Sequence, residues 1–459
     1  MAVTLTSTFA GLLTETFTRD RVFAPFERSM AKFHDSTQDW PNEEPTGLGR
    51  TFGIRTKDAH SVGTVSEANN TTPTLRQPEV VQANVDAVQI VGAVGWSELF
   101  LSVSRGLGSL GPDGLTDHID MVTRNATSCL NRMALGHGTA RLAVVDANTS
   151  SATTFVCRVP EHVLQLRVGM AIDFYDTDSG GSKQGNTVTI SDIDFDTRTV
   201  TISAAASLTA GWGVYQALTS SISTYGVGPF GLRAWADNGT LTSTIAGLTR
   251  ATYPSVNANV ISTSSGTLLY SEKLMRKGIN RVFFSCDLEP DEAWTNKGII
   301  SEHLNHLVGD RIFMLGPGDN VPKYRIGHDE MQIGFQNGGN FIPYRCEGDL
   351  PAREIIFLKK SMFRRHQLRP LNWIGDDSGT DGVAKAMLLQ MPASGGGYEL
   401  SKVALLLAMV NYGNKMPKSI VKIGGFVPSR LSNARAEPAL ISSPQSTQPK
   451  STPGLSSMS

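Results

Sequence analysis

The sequence predicts an α+β protein of several domains, and three observations carry that prediction. The 459 residues include 45 glycines and 22 prolines, which indicates many turns and a β-rich chain. One long stretch has the apolar spacing of an amphipathic helix, and a separate block of short alternating strands follows it. The length is sufficient for two or three domains with their own cores.

The first segment predicts an amphipathic helix. Phe9, Leu12, Leu13 and Phe17 are spaced by three, one and four residues, so they lie on one helical face. Such a face either docks on its own domain or belongs to an arm that docks on a neighbouring subunit. Both interpretations stay open at this point.

Residues 34–84 are polar and predict a long two-stranded hairpin. The runs GRTFGIRTK and SVGTVSEANNTTPT have little apolar content, and a hairpin of this kind is not stable alone. It is therefore either disordered or ordered by a partner. Arg50, Arg55 and Lys57 give it a positive edge, and Glu67 is expected on the opposite strand.

A long helix is the strongest local prediction. After a buried strand in VDAVQIVGAVGWSELFLSV, apolar residues recur for about five turns of 3.6 residues. Asp113 is the expected N-cap and Gly136 with Gly138 the expected stop. The apolar residues of this face are Leu115, Ile119, Val122, Ala126, Cys129, Leu130 and Met133.

Residues 140–220 predict a small β-barrel, because six short strands alternate with Asp, Gly, Asn and Ser turns. Helices are expected to return after Thr252, one ending near Gly278 and one starting near Asp287 and Pro290. Short strands follow. The tail beyond Pro428 is rich in Ser and Pro and is expected to be disordered.

Three motifs resemble those of cofactor, metal or catalytic sites, and for each a purely structural role is the stronger interpretation. G-x-G-x-x-G over residues 106–111 is separated from the helix by Pro112 and Asp113, which argues against a dinucleotide site. Glu302, His303 and His306 form E-H-x-x-H, whereas zinc proteases need two histidines at i and i+4. Ser378 in GDDSG has no histidine placed beside it by the sequence.

Composition and residue spacing argue against a calcium-binding, a disulfide-rich, a nucleic-acid-binding and a membrane protein. Asp173, Asp176 and Asp178 lack the spacing of an EF-hand loop and are typical of turns. The four cysteines are scattered without a C-x-x-C pair, so reduced thiols are expected. A formal net charge of −1 gives no overall attraction to nucleic acid or to an anionic membrane. No apolar run approaches the roughly 20 residues of a membrane span, and no basic signal segment is evident. No cofactor and no catalytic residues are expected.

The order of these segments resembles that of the tailed-bacteriophage major capsid protein family. Two stretches of the sequence are also similar to that family, VGPFGLRAWADNGTLTSTIAGLTRATYP and NYGNKMPKSIVKIGGF. The resemblance implies a capsid fold with an N-terminal arm, an extended β-hairpin loop, a long spine helix, an inserted β-barrel and an axial domain. The implied division is an arm at 1–49, extended loop at 50–85, peripheral domain at 86–139, barrel at 140–220, peripheral return at 221–279, axial domain at 280–400, closing peripheral strands at 401–427 and tail at 428–459.

The resemblance also implies a function and partners. The chain would self-assemble as hexamers and pentamers into an icosahedral head around double-stranded DNA, without sequence-specific binding. It would be made in the host cytoplasm, with a separate scaffolding protein, a portal and an optional decoration protein as partners. The candidate intersubunit contacts are Phe9, Leu13, Phe17, Arg50, Arg55, Lys57 and Glu67, and Lys57 is in the position of family members that cross-link.

Two alternatives stay open. One is a bacterial nanocompartment shell, which encloses enzymes and not DNA. The other is a β-rich carbohydrate-binding protein or hydrolase, with Trp212, Tyr215, Tyr225 and Trp235 as candidate stacking residues.

Overall fold

The computed structural model confirms the α+β class. It describes residues 32–40, 49–58, 74, 77–97, 111–177, 181–219, 222–262, 268–303, 334–337, 340–351, 353–374, 389–392 and 398–426. The helices are α1 Lys32–Ser36, α2 Gly111–Leu135, α3 Leu232–Trp235 and α4 Glu272–Cys286, with 3-10 turns at Pro160–Gln165, Pro254–Val256 and Pro417–Ser419. Residues 297–303 are also helical. The strands are β1 Gly49–Lys57, β2 Glu79–Asp86, β3 Val88–Ser97, β4 Ala143–Val144, β5 Thr149–Val156, β6 Ala171–Tyr175, β7 Lys183–Asp194, β8 Thr199–Leu208, β9 Gly213–Gln216, β10 Thr244–Ile245, β11 Leu248–Thr249, β12 Asn259–Ser262, β13 Glu292–Thr295, β14 Gly334–Asn337, β15 Asn340–Cys346, β16 Glu354–Leu358, β17 Phe363–Trp373, β18 Leu389–Pro392, β19 Tyr398–Asn414 and β20 Val421–Gly424.

Helix α2 lies where the apolar spacing predicts it. Its periodic residues Ile119, Ala126 and Leu130 are buried, because one face packs on β3 and β19. The helix begins at Gly111, so Asp113 lies inside its first turn and not at the N-cap position expected from the sequence. It ends at Leu135, directly before Gly136.

One mixed sheet and one antiparallel sheet form the body. In the first, the order is β12-β20-β16-β13-β15-β14, with parallel pairs β12–β20 and β13–β15. In the second, the long strand β19 pairs antiparallel with β3, β17 and β18. Strand pairing therefore crosses the predicted boundaries at residues 280 and 400, since β13 and β16 lie between β20 and β15.

The β-rich block closes into a six-stranded antiparallel barrel in the order β4-β9-β6-β7-β8-β5. The two end strands meet through an antiparallel bridge between Val145 and Cys157 and through hydrogen bonds from Asp146 N to Val156 O and Arg158 N to Val144 O. This block has its own apolar core, which includes Phe155, Phe174 and residues between Leu142 and Val214.

Three local predictions are wrong in their bounds. Helix α4 continues through Gly278, whose missing Cβ lets Ile423 pack closely, with a built Cβ only 2.8 Å from Ile423 Cδ1. Asp287 ends α4 in the left-handed conformation at φ 55° and does not start a helix. The partner of β1 is Glu79–Asp86 rather than the predicted run at 61–74, because Ala83 and Val85 supply the buried face that β1 needs.

Candidate intersubunit surface

Residues 32–40 are anchored to the body of their own chain. The backbone N–H groups of Phe33 and His34 donate to Asn131 Oδ1 of α2 at 3.1 and 3.4 Å. The Phe33 ring is buried edge-on against Trp294, with centroids 4.9 Å apart. The part of the predicted arm after Lys32 is therefore a component of the body core.

Arg365 of β17 fixes the same segment. Its guanidinium donates to both carboxylate oxygens of Asp39 at 2.6 and 3.0 Å, and it also lies 2.9 Å from His34 Nε2. The His34 Nδ1 atom is 2.6 Å from the Tyr412 hydroxyl. Burial, with a further contribution from the Arg365 charge, lowers the pKa of His34 to about 4, so this imidazole is neutral at pH 7.

The hairpin of β1 and β2 leaves the body from this anchor. Its register runs antiparallel from Gly49 opposite Asp86 to Lys57 opposite Glu79. One face is buried through Ile54, Ala83 and Val85 because side chains alternate along each strand. No third strand pairs with these two among the described residues, so the far end of the hairpin depends on other contacts.

The predicted positive edge is present in part. Arg55 lies 3.4 Å from Asp58, and Lys57 Nζ lies 2.6 Å from Glu79 Oε2, with Glu79 half-buried and the other three side chains largely exposed. The hydrogen bond to Glu79 raises the pKa of Lys57. These charges are therefore paired within the hairpin when the chain is alone.

Arg50 corrects the prediction of an exposed edge. It is 9% exposed, and its guanidinium carbon lies 5.1 Å from the centroid of the Trp40 ring. A cation over an aromatic face at this distance is attracted to the ring, so Arg50 closes the root of the hairpin on the body. Phe9, Leu13, Phe17 and Glu67 lie outside the described residues.

A buried polar cluster holds the body together, and no pattern in the sequence predicted it. Arg250 is 2% exposed, and its guanidinium donates to the carbonyl oxygens of Ala234, Asp237 and Val256. The Asp237 carboxylate accepts N–H groups from Gly239, Leu241 and Thr242. Apart from Val256, these residues lie in the quoted stretch VGPFGLRAWADNGTLTSTIAGLTRATYP, but no local spacing marks an arginine that binds backbone carbonyls.

A second ion pair extends this cluster. Arg233 binds Glu354 of β16 in a bidentate arrangement at 3.0 and 3.2 Å. Lys422 Nζ lies 3.9 Å from Asp237 Oδ1, with both side chains buried. The attraction of Arg233 and Lys422 outweighs burial and lowers the pKa of Glu354, so this carboxylate is charged. The cluster joins α3, the 3-10 turn at Pro254–Val256, β16 and β20.

The described residues of the motifs that resemble metal sites have structural partners. His303 Nδ1 lies 2.7 Å from the Tyr270 hydroxyl. Asp173 is fully buried and pairs with Lys183 at 2.8 Å, so a cation already occupies the position considered for calcium. The described residues hold no group of three ligands suited to a metal ion. The glycine motif up to residue 110, His306, Asp178 and Ser378 lie outside the described residues.

The aromatic candidates do not form an open binding platform. Tyr215 and Trp235 are fully buried. Tyr225 stacks face to face on Tyr175 with centroids 3.9 Å apart, and Trp212 packs against the barrel core. These side chains are occupied by the fold, so the carbohydrate alternative loses its candidate residues. No helix in the described part of the chain is long and apolar enough to cross a membrane.

Comparisons with known proteins give structural matches alone. No family model matches the sequence, and no curated protein matches it. The capsid asymmetric unit of cyanophage A-1(L) matches with a TM-score of 0.53 and 12% identity, over 90% of this chain and 99% of that chain. The capsid of an empty GTA particle and that of Myoviridae phage XM1 match with TM-scores of 0.43 and 0.41, each at 8% identity. They cover 93% and 89% of this chain, and 100% and 96% of theirs. The chain has the fold of the tailed-phage major capsid proteins.

Proposed function

We propose that this chain is a major capsid protein, which assembles as pentamers and hexamers into an icosahedral head that encloses double-stranded DNA. One observation carries the proposal. The chain follows the fold of the cyanophage A-1(L) capsid protein over 90% of its own length and 99% of that protein's length.

The hairpin supports the proposal physically. Two strands with one polar face are not stable by themselves, so a protein that keeps a long hairpin needs a surface to support it. A neighbouring copy provides such a surface at every position of a shell. In this proposal Arg55, Lys57 and Glu67 contact that neighbour, and the hairpin pairs of Arg55 and Lys57 are exchanged for pairs across the interface. Arg50 acts at the hairpin root.

The segment before Lys32 has the second intersubunit role in this proposal. Phe9, Leu13 and Phe17 form the apolar face that docks on an adjacent subunit, while residues 32–40 keep the arm attached to its own body. A scaffolding protein and a portal are separate chains, and a decoration protein is an optional partner. The division of the chain into arm, extended loop, peripheral domain, barrel, axial domain and tail is proposed with the boundaries predicted from the sequence.

The proposed protein is structural and not an enzyme, is located in the virion and is assembled in the host cytoplasm. Its near-neutral charge suits a wall that encloses DNA without binding it strongly. The chain is to be expressed alone and with the scaffolding protein of the same genome, and each sample imaged by negative stain. Closed shells of uniform size are expected with scaffold, and monodisperse monomers in every sample and salt condition would overturn the proposal. Nuclease-protected DNA in shells from infected cells separates a phage head from a nanocompartment.

A further inference from the structure

The outer face of α4 combines positive charge with exposed aromatic side chains. Lys273, Lys277 and Arg281 are exposed and recur every four residues, so they form one stripe. Phe284 is 84% exposed, and Phe283 lies beside it with ring centroids 5.9 Å apart. Lys273, Lys277, Arg281 and Phe284 line a shallow depression along the helix.

The positive field extends beyond the helix. Burial lowers the pKa of Lys418, and the charge of the neighbouring Arg281 lowers it further. The single acidic residue of α4, Glu272, is already paired with Arg276 at 3.4 Å. The face is therefore suited to a ligand that brings both carboxylates and apolar groups.

One end of the barrel has the complementary composition. Neighbouring strands of the barrel are antiparallel, so this end contains the start of β6, the end of β9 and the turn between β7 and β8. Gly169 N donates to Ile190 O and Ala217 N to Ala171 O, which brings the segments at 168–171 and 217–219 together, and Leu218 N donates to Ile222 O. The chain enters and leaves the barrel here, so we call it the barrel base.

The barrel base exposes apolar side chains at the same end of the barrel as two carboxylates. Val168, Leu218 and Ile222 are 62%, 61% and 57% exposed. Asp192 and Asp196 are exposed on the β7–β8 hairpin at the same end, where Arg167 and Arg198 are half-buried. Exposed apolar groups of this size beside a charged rim are typical of protein interaction surfaces.

We propose, resting on the proposed shell function, that the barrel base of one copy docks on the α4 face of a neighbouring copy. The two surfaces are opposite in charge, and each has exposed apolar side chains. Every copy has both surfaces, so the contact is head-to-tail and repeats around a ring. A DNA duplex would satisfy the lysines but would leave Phe283 and Phe284 without an apolar partner, so a second copy fits the face better.

A charge-swap experiment tests the contact in the full-length chain. One variant has Lys273→Glu and Lys277→Glu, a second has Asp192→Lys and Asp196→Lys, and a third has all four changes. None of these side chains is buried, so the melting temperature of the monomer should stay near that of the parent. Each double variant should reduce shell yield about tenfold at low salt, a change of about 1.4 kcal/mol, and the fourfold variant should recover most of it.

A matched control reverses a charge pair elsewhere on the barrel. Asp146→Lys with Arg158→Glu exchanges an exposed pair that is 3.8 Å apart, and it should leave shell yield unchanged. Equal yields from all variants, or loss in both double variants without recovery in the fourfold one, would overturn the contact while the shell function stands. Normal shells with reduced DNA content from the α4 variant would assign that face to DNA instead. Failure of the parent chain to form shells would count against the proposed function itself.

Discussion

The barrel and the body build their cores in different ways. The barrel core uses one continuous stretch between Leu142 and Val214, and within the described residues its six strands pair only with one another. The main body core brings together residues from Phe33 to Ile420, and β3 pairs with β19 across most of the chain. Closing long loops costs chain entropy, so the body needs stronger fixed contacts to repay it than the barrel does.

The buried polar cluster supplies contacts of that kind. Arg250 joins three backbone carbonyls from separate turns, and Arg233 with Glu354 joins α3 to β16. The barrel has instead an apolar interior with Phe155 and Phe174 in edge-to-face contact at 5.5 Å. The two regions should therefore respond independently to mutation.

The largest expected effect is in the body. Arg250→Ala leaves the carbonyls of Ala234, Asp237 and Val256 buried without their donor, and it removes a positive charge near Asp237. We expect a loss of about 5 kcal/mol in the free energy of unfolding of the body. Hydrogen exchange during denaturant unfolding would measure body and barrel separately, and unchanged protection of barrel amides is expected.

A control distinguishes the role of this guanidinium from that of any arginine. Arg198→Ala removes a side chain from the β7–β8 turn of the barrel and should change the free energy of unfolding by less than about 1 kcal/mol. An Arg250→Ala protein as stable as the parent would show that the carbonyls find other donors.

The second effect reverses the comparison. Phe174→Ala removes a fully buried ring from the barrel and should cost about 4 kcal/mol in the free energy of unfolding of the barrel. The body transition should stay in place, because Phe174 belongs to the separate barrel core. Residues 140–220 expressed alone should give dispersed amide spectra, and a random-coil spectrum from that fragment would contradict an independent core.

The same difference explains how much of the fold was predictable. The barrel strands and α2 were predictable, because the alternation along a strand and the apolar spacing along a helix are local features of the sequence. The anchoring of residues 32–40 on Asn131 and Arg365 was not predictable, because those contacts join segments far apart in the chain. For the candidate site, Lys57 and Arg55 were expected on an exposed edge, whereas the burial of Arg50 under Trp40 has no local signature.

The third effect depends on pH and concerns the anchor of the body. His34 has an ordinary pKa of 6.5 when unfolded and about 4 when folded, so the unfolded chain binds more protons between these values. The stability is therefore fully present above pH 6.5 and is lost as the pH falls towards 4. Between pH 7 and pH 5 His34 should contribute a loss of about 2 kcal/mol.

Comparison with His34→Gln isolates this contribution. Burial also lowers the pKa of His137 and His162, so the parent loses additional stability on acidification. The variant keeps those histidines, and its free energy of unfolding should fall by about 2 kcal/mol less than that of the parent. Parallel pH profiles for the two proteins would show that folding does not lower the pKa of His34.

The smallest effect on the isolated chain is expected at the hairpin, where the effect on assembly should be large. The pairs Arg55–Asp58 and Lys57–Glu79 are exposed, and exposed pairs contribute about 0–1 kcal/mol. Arg55→Glu with Lys57→Glu should therefore leave the melting temperature of the monomer nearly unchanged. If the hairpin lies across a neighbouring copy, the same variant places repelling charges at every copy of that interface, and heat stability of the shells should fall sharply. Negative stain and thermal release of DNA measure this, with Arg158→Glu as the matched reversal on the barrel. Shells of normal form and heat stability from the double variant would mean that the hairpin charges do not contact the neighbouring copy.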